Sequence, residues 1–361
     1  MLPQWFTKWN SDNPKDIYGP AILVGTLGGA VAVAALLVTW GQPLATDSQQ
    51  TGPRGTGMSV PEFDRDRLTP DPDIAKIITS EPILPQPGDA TAGQFYDNID
   101  PLLADLTVAN YDRLVAAMQS WTGIPGLLTD DAADYQNTVA YQMIQMTQSI
   151  NENWAGHVNA NGVVGVTCYT CHRGEPVPSE IWFRLGPVTE GTEGWSSNQN
   201  RVTVQSQFTS LPSDALEVYL LDYGRIGVHD LEAHVAAYPS EEGYPTWQDT
   251  ERTFSLMNYM SNSLGVNCVF CHNSRAFYDT EQATPQWNTA MLGISMVQEL
   301  NNDWLVPLED VYPPERLGPV FADAPKAACK TCHKGYQQPL QGTNMISNWP
   351  ELASTDGPFY D

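Results

Sequence analysis

Basic residues are scarce in this sequence of 361 residues. It carries 17 Lys and Arg against 42 Asp and Glu, which gives a formal net charge of −25 at pH 7. A chain of this sign is repelled by a phosphate backbone, so nucleic-acid binding is excluded as its function. Beyond keeping the protein soluble, an acidic surface favours salt-dependent encounter with a basic soluble partner.

Cysteine is also scarce, and none lies outside one repeated pattern. All six cysteines fall in Cys-x-x-Cys-His motifs, the pattern for covalent attachment of a c-type haem. The three motifs are Cys168/Cys171/His172, Cys268/Cys271/His272 and Cys329/Cys332/His333. We predict three covalently bound haems c, with thioether bonds from the cysteines and one axial iron ligand from each histidine. Disulfide pairing would leave the three adjoining histidines unexplained.

Charged residues are absent from residues 17–41, an apolar run long enough to cross a bilayer, for which about 20 residues suffice. Lys8 and Lys15 precede the run, and no Lys or Arg follows it before Arg54. The positive-inside rule therefore predicts a single-pass anchor in the bacterial inner membrane, with a cytoplasmic N-terminus and a periplasmic haem-bearing domain. A signal peptide cleaved before Thr46 is the alternative. No cysteine follows closely, which excludes a lipoprotein anchor.

The remaining patterning predicts a mainly α fold with long irregular loops. Helical patterning covers residues 96–122, 134–157, 248–264 and 285–304, whereas residues 201–208 and 216–221 look β-like. We divide the chain into an anchor (1–45), an extended strap (46–95), a first haem-binding half (96–185), a connector (186–246), a second haem-binding half (247–345) and a C-terminal tail (346–361).

An internal repeat relates the two halves. Residues 143–154 align with residues 293–304, so that the pairs Met146/Met296, Gln148/Gln298, Asn151/Asn301 and Trp154/Trp304 coincide. Residues 111–121 align with residues 250–260, which pairs Arg113 with Arg252 and Met118 with Met257. Where the second half has CVFCH, the first has TDDAA, at residues 129–133. Three haem sites are therefore a degenerate set of four, and we expect Met118 to pack in the space of the lost haem.

Methionines on the helices before the haem sites are candidate sixth ligands of the iron. Met143 and Met146 precede the site at Cys168, while Met257 and Met260 precede the site at Cys268. A methionine on an amphipathic helix is more often a core residue. The repeat favours Met143 as ligand, because Met146 is shared with Met296 whereas Met143 is replaced by Gly293 in the second copy.

Three histidines lie outside the attachment motifs: His157, His229 and His234. The haem at Cys329 has no methionine of its own, so we predict that His157 reaches across to it and makes it bis-histidine. His229 and His234 are interpreted as ordinary connector residues. Every iron would then have two protein ligands, which favours electron transfer over catalysis.

Three runs resemble the cytochrome c subunit of purple bacterial photosynthetic reaction centres. They are MIQMTQSINENWAGHVNANGVVGVTCYTCHRG, LMNYMSNSLGVNCVFCHN and CKTCHKG, and the resemblance covers about residues 96–352. It implies a subunit that re-reduces the photo-oxidised bacteriochlorophyll special pair and is itself reduced by a soluble periplasmic carrier, such as a basic c-type cytochrome or a high-potential iron–sulfur protein. The implied partners are the membrane-embedded reaction-centre subunits and the core light-harvesting ring.

Carried over to this chain, the resemblance assigns Met143 to the haem at Cys168, Met257 to the haem at Cys268 and His157 to the haem at Cys329. The haem at Cys268 would lie nearest the special pair and the haem at Cys168 farthest. Members usually carry four haems, so the missing outer site leaves the donor-docking position open. We predict docking near Cys168, with four acidic candidates: Asp130, Asp131, Asp134 and Glu175.

Three other functions are compatible with haem attachment. A multihaem peroxidase or nitrite reductase would need a five-coordinate iron, detectable as a high-spin signal. A membrane-anchored quinol-oxidising cytochrome would typically be smaller, with denser haem packing. A structural subunit would have haems that fail to turn over in the native membrane.

Overall fold

The computed structural model describes residues 3–14, 18–40, 46–52, 57–64, 70–129, 131–159, 164–186, 198–228 (without 202, 204, 207 and 209) and 245–360. Five of the residues singled out in the sequence, Lys15, Arg54, Asp130, His229 and His234, lie outside these ranges.

The described chain is mainly helical with long irregular segments, as predicted. Its α-helices are α1 (Gln4–Asp12), α2 (Tyr18–Trp40), α3 (Ala92–Phe95), α4 (Val108–Thr122), α5 (Asp134–Asn153), α6 (Ala155–Val158), α7 (Cys168–His172), α8 (Ala215–Leu220), α9 (Trp247–Leu264), α10 (Pro285–Glu299) and α11 (Cys329–His333). Two strands, β1 (Thr46–Gln50) and β2 (Ser59–Phe63), pair as a two-stranded sheet. A π-helical turn, Leu300–Leu305, continues α10.

The chain divides into two compact units. The first comprises Met1–Gln49 and Pro61–Thr69 and contains α1 and α2. Helix α2 forms where the apolar run predicted a helix, but none of the helices in the described ranges is both long and apolar enough to cross a membrane. The predicted transmembrane anchor over residues 17–41 is therefore not supported by the structure.

The second unit comprises Gln50–Val60 and Pro70–Asp361 and contains every candidate site residue. The segment of residues 70–91 is irregular apart from the 3-10 turn Ile74–Lys76. The segment lies over the first half of the repeat. Asn110 exchanges hydrogen bonds of 2.7 and 3.0 Å with the backbone of Ile83, and the Tyr169 hydroxyl donates to the Asp73 carbonyl at 2.9 Å.

Three local predictions were wrong. Helix α4 begins at Val108 and not at residue 96, because the Thr107 side chain caps it by accepting from the Asn110 amide. Residues 216–221 were interpreted as β-like, yet α8 covers Ala215–Leu220. Leu216, Tyr219 and Leu220 are buried together, and this spacing is the period of a helix rather than of a strand. The described part of residues 201–208 forms no strand.

The two halves make equivalent hydrogen bonds at equivalent positions. Asn151 donates to the carbonyls of Val166 and Leu352 at 2.9 and 2.7 Å and accepts from the Val166 amide at 2.8 Å. Its counterpart Asn301 donates to Leu220 and Ala327, both at 3.0 Å, and accepts from the Ala327 amide at 2.9 Å. Each asparagine therefore holds the segment that leads into a Cys-x-x-Cys-His motif.

The ends of α4 and α9 are equivalent as well. Each helix ends at a glycine in the left-handed conformation, Gly123 with φ 63° and Gly265 with φ 66°. A Cβ at either position would collide with a backbone carbonyl, that of Gly174 or Gly335, just after an attachment motif. Glycine is required at both positions because the backbone is left-handed and the next segment is too close.

Candidate functional site

Two of the three attachment motifs are single helical turns. Helix α7 carries Cys168 and His172, and helix α11 carries Cys329 and His333. Each ends at a residue with positive φ and continues into a glycine that also has positive φ, a tight exit that leaves the histidine at the end of the turn. The third motif begins as the 3-10 turn Cys268–Phe270, with His272 directly after it.

The three motif histidines share one hydrogen-bond arrangement. Nδ1 of His172, His272 and His333 lies 2.9, 3.0 and 3.0 Å from the backbone carbonyls of Glu175, Phe277 and Tyr336, respectively. Since a carbonyl can only accept, Nδ1 carries the proton and donates, and Nε2 keeps its lone pair. This tautomer is the one that a metal-binding histidine needs.

Burial also lowers the pKa of all three motif histidines. It lowers the pKa of His172 and of His272, and it lowers the pKa of His333 to about 4. All three imidazoles are therefore biased towards the neutral form, which is the form that binds iron.

His157 meets His333 across a narrow gap. The ring centres are 6.2 Å apart with an angle of 66° between the ring planes. His157 Nδ1 lies 3.0 Å from the Thr289 carbonyl. This ring too therefore carries its proton on Nδ1 and keeps the lone pair on Nε2. With metal–nitrogen bonds of about 2 Å, two imidazoles on opposite sides of one metal ion have ring centres roughly 6 Å apart. The pair therefore fits a single haem iron between the rings.

The candidate methionines are less clearly separated. Met143 and Met146 are both partly buried against the cluster of Leu300, Leu305 and Ala327. Met257 and Met260 are both partly buried against a second cluster that includes Leu256 and Ala328. Both methionines of each pair thus pack against the same cluster in the second haem-binding half. Their burial does not distinguish which of the two is the iron ligand.

Met118 lies in a different environment from these four methionines. It is 1 % exposed, inside a cluster that contains Leu114, Leu127, Leu128 and Ile144. The side chains of this cluster fill the region next to residues 129–133, where the first half has no attachment motif.

The sulfurs of Cys171 and Cys332 lie next to each other, a contact that the motifs did not predict. The cause is geometric: α7 and α11 adjoin, and the two Cα atoms are 4.6 Å apart, within the range that a disulfide bridges. The other cysteines, Cys168, Cys268, Cys271 and Cys329, are free thiols. A sulfur cannot hold a disulfide and a thioether at once, so haem attachment at both sites needs this pair reduced.

In the described part of the chain, no three His, Cys, Asp or Glu side chains cluster as they would around a directly bound metal ion. The donor set fits haem instead, because porphyrin supplies the equatorial nitrogens and the protein adds only axial ligands. Sequence reasoning found these histidines from their motifs. It missed the backbone carbonyls that orient them, since any residue can supply a carbonyl.

Comparison with known proteins finds one family over most of the chain. A family described as the photosynthetic reaction centre cytochrome C subunit matches residues 41–353. The chain is similar to the photosynthetic reaction center cytochrome c subunit of Roseobacter denitrificans, with 59 % identity over 372 residues and 100 % of both chains covered. It is also similar to the subunits of the same name from Rubrivivax gelatinosus (36 % identity, covering 92 % of this chain and 90 % of the relative) and Thermochromatium tepidum (33 %, covering 91 % and 81 %).

Proposed function

This chain belongs to the family of photosynthetic reaction centre cytochrome c subunits, and we propose that it re-reduces the photo-oxidised special pair through three covalently bound haems c. Membership makes it an electron-transfer component that associates with reaction-centre subunits and carries covalently bound haem, and not an enzyme. The number of haems, their ligands and the direction of electron flow are the parts that we propose.

The observation that carries the proposal is the facing pair of His157 and His333. An iron bound by both imidazoles would have no open coordination position, which suits electron transfer and would exclude peroxidase chemistry at that haem. We assign His172 and Met143 to the haem at Cys168, and His272 and Met257 to the haem at Cys268. Methionine ligation raises the reduction potential relative to a second histidine, so the bis-histidine haem would have the lowest of the three potentials.

We further propose that electrons enter from a soluble carrier near the haem at Cys168 and leave from the haem at Cys268, which would lie nearest the special pair. Asp131, Asp134 and Glu175 are exposed carboxylates on the first half. Together with the net charge of −25, they favour a basic carrier such as a c-type cytochrome. The core light-harvesting ring would adjoin the assembled complex.

Flash absorbance on native membranes tests the function directly. The c-type haems are first reduced chemically, and their α-band is followed after one short flash. Oxidation of a haem in step with recovery of the special pair would support the proposal. An α-band that stays silent while the special pair recovers by another route would refute it.

The state of the cysteines needs a separate test, because a Cys171–Cys332 disulfide and two thioethers exclude each other. Peptide mapping of the denatured, haem-loaded protein distinguishes them. We expect haem on the peptides of all three motifs and no thiol that reacts with an alkylating agent. A peptide pair cross-linked through Cys171 and Cys332 would refute full attachment at these two sites.

A further inference from the structure

The ring of His157 rests directly on the backbone of α10. Beside its hydrogen bond to the Thr289 carbonyl, it covers Gly293, one helical turn further along. A Cβ built on Gly293 would lie 2.5 Å from His157 Cε1 and 3.1 Å from both ring nitrogens. Real Cβ atoms do not approach so closely, so any side chain at this position would push the ring away.

The backbone of Gly293 does not itself require glycine. Gly293 lies within α10 and is buried, and its φ is not in the left-handed region that characterises Gly123 and Gly265. A glycine inside a helix is destabilising relative to alanine. Since no turn or cap needs glycine here, the space taken by the imidazole is the feature that accounts for it.

The repeat gives this contact a further meaning. Gly293 occupies the position that Met143 holds in the first half. Where one copy has a candidate ligand of its own, the other has removed the side chain and accommodates a ligand from the opposite half. The same helix supplies both the space, at Gly293, and the hydrogen-bond acceptor, at Thr289.

We infer that Gly293 is a positioning residue for His157, and that the bare helix surface between Thr289 and Gly293 sets where His157 Nε2 stands opposite His333. This inference deepens the proposed function and rests on its ligand assignment. The helix fixes the ring in two ways, because the Thr289 carbonyl selects the tautomer and the absent side chain sets the ring's distance from α10.

Gly293→Ala tests the inference in the purified haem-loaded protein, by electron paramagnetic resonance and redox titration. We expect one of three low-spin signals to be lost or displaced and one midpoint potential to shift, with added imidazole restoring a low-spin signal. The matched control is Gly156→Ala, next to His157, where a Cβ would meet only Leu292 Cδ1 at an ordinary 3.9 Å. Three unchanged signals and potentials in Gly293→Ala would overturn the inference.

A second pair of variants covers the possibility that Gly293→Ala does not fold. His157→Gly leaves a space for exogenous imidazole, and its imidazole affinity is compared with that of His157→Gly/Gly293→Ala. We expect binding about tenfold weaker in the double variant, because the added methyl overfills the space of the ring. Equal affinities would overturn the inference. If His157→Gly alters no haem signal at all, the proposed ligand assignment fails and this inference fails with it.

Discussion

The two halves of the repeat keep the same polar framework but enclose different contents. Asn151 and Asn301 make equivalent sets of three hydrogen bonds, two of them in each half to the segment before an attachment motif. Met118 in the first half is nevertheless buried in an apolar core, while its counterpart Met257 is only partly buried, against a cluster that includes Leu256 and Ala328. The polar framework beside the second site of each half is therefore the same, although only the second half has an attachment motif at its first site.

The difference extends to the paired arginines. Arg113 is buried with Glu351, donates to the carbonyls of Ser80 and Asn348, and lies 4.3 Å from the ring centre of Trp349. Arg252 is more exposed and bonds Asp214 and Asp249. The first half thus uses its arginine to bind the strap and the C-terminal tail over the core, whereas the arginine of the second half binds Asp214 in the connector.

The largest expected effect is the loss of this arginine in the first half. Arg113→Met should lower the free energy of unfolding by about 3–5 kcal/mol, because it leaves the Glu351 carboxylate buried without its cation. The equivalent Arg252→Met should cost only about 1 kcal/mol, since its ion pairs are partly exposed. Urea unfolding of the haem-loaded proteins measures both. Equal losses would contradict the distinction between the halves.

The next prediction tests the similarity of the halves. Asn151→Ala and Asn301→Ala each remove three hydrogen bonds at sites that are 3 % and 0 % exposed. Each should therefore cost about 2–3 kcal/mol, and the two costs should agree within about 1 kcal/mol. Asn153→Ala, at an exposed residue of the same helix as Asn151, is the control and should change little. A large cost in one half only would show that the frameworks are not equivalent.

A third prediction uses pH to test the core of the first half. Burial raises the pKa of Tyr111 in the first-half core to about 12, whereas its counterpart in the repeat is Thr250. Above pH 10 the unfolded chain loses this phenolic proton while the folded chain keeps it, so stability falls as pH rises from 10 to 12.

Tyr111→Phe should remove this contribution, on the order of 2 kcal/mol across that pH range. It should cost about 1 kcal/mol at pH 8, through the lost hydrogen bond to the Leu128 carbonyl. Urea midpoints at pH 8, 10 and 12 test this, with the exposed Tyr278→Phe as the control. Parallel pH profiles for Tyr111→Phe and the wild type would show that this tyrosine does not report on the core.

How far the sequence predicts the fold depends on how local each signal is. Helix α9 was predicted to within one residue, because Thr246 starts it and Gly265 ends it through local hydrogen bonds and backbone conformation. Helix α8 was missed because its burial against other elements, and not its composition, determines its conformation. No pair of prolines or glycines marks the ends of this helix in the sequence.

At the site, the motif cysteines and histidines can be predicted from the sequence because haem attachment fixes their spacing. The meeting of His157 with His333 could be proposed only by elimination, since the residues are far apart in the chain. The only sequence signal for the contact between His157 and α10 was Gly293 at the position that Met143 holds in the first half. A backbone carbonyl acceptor such as that of Thr289 leaves no trace in a sequence.

The smallest expected change in stability is also the sharpest test of the comparison. Met118→Leu and Met257→Leu each replace a methionine by a side chain of similar volume, so each should cost less than about 1.5 kcal/mol. Their spectra should differ: Met257→Leu should remove the sixth ligand of one haem and shift one midpoint potential, while Met118→Leu should leave all three haems unchanged. Met260→Leu is the control for the choice of ligand on α9, because Met260 is also partly buried against the same cluster. A shift in Met260→Leu and none in Met257→Leu would move the ligand within the helix. A shift in Met118→Leu would mean that the first half still contacts a haem.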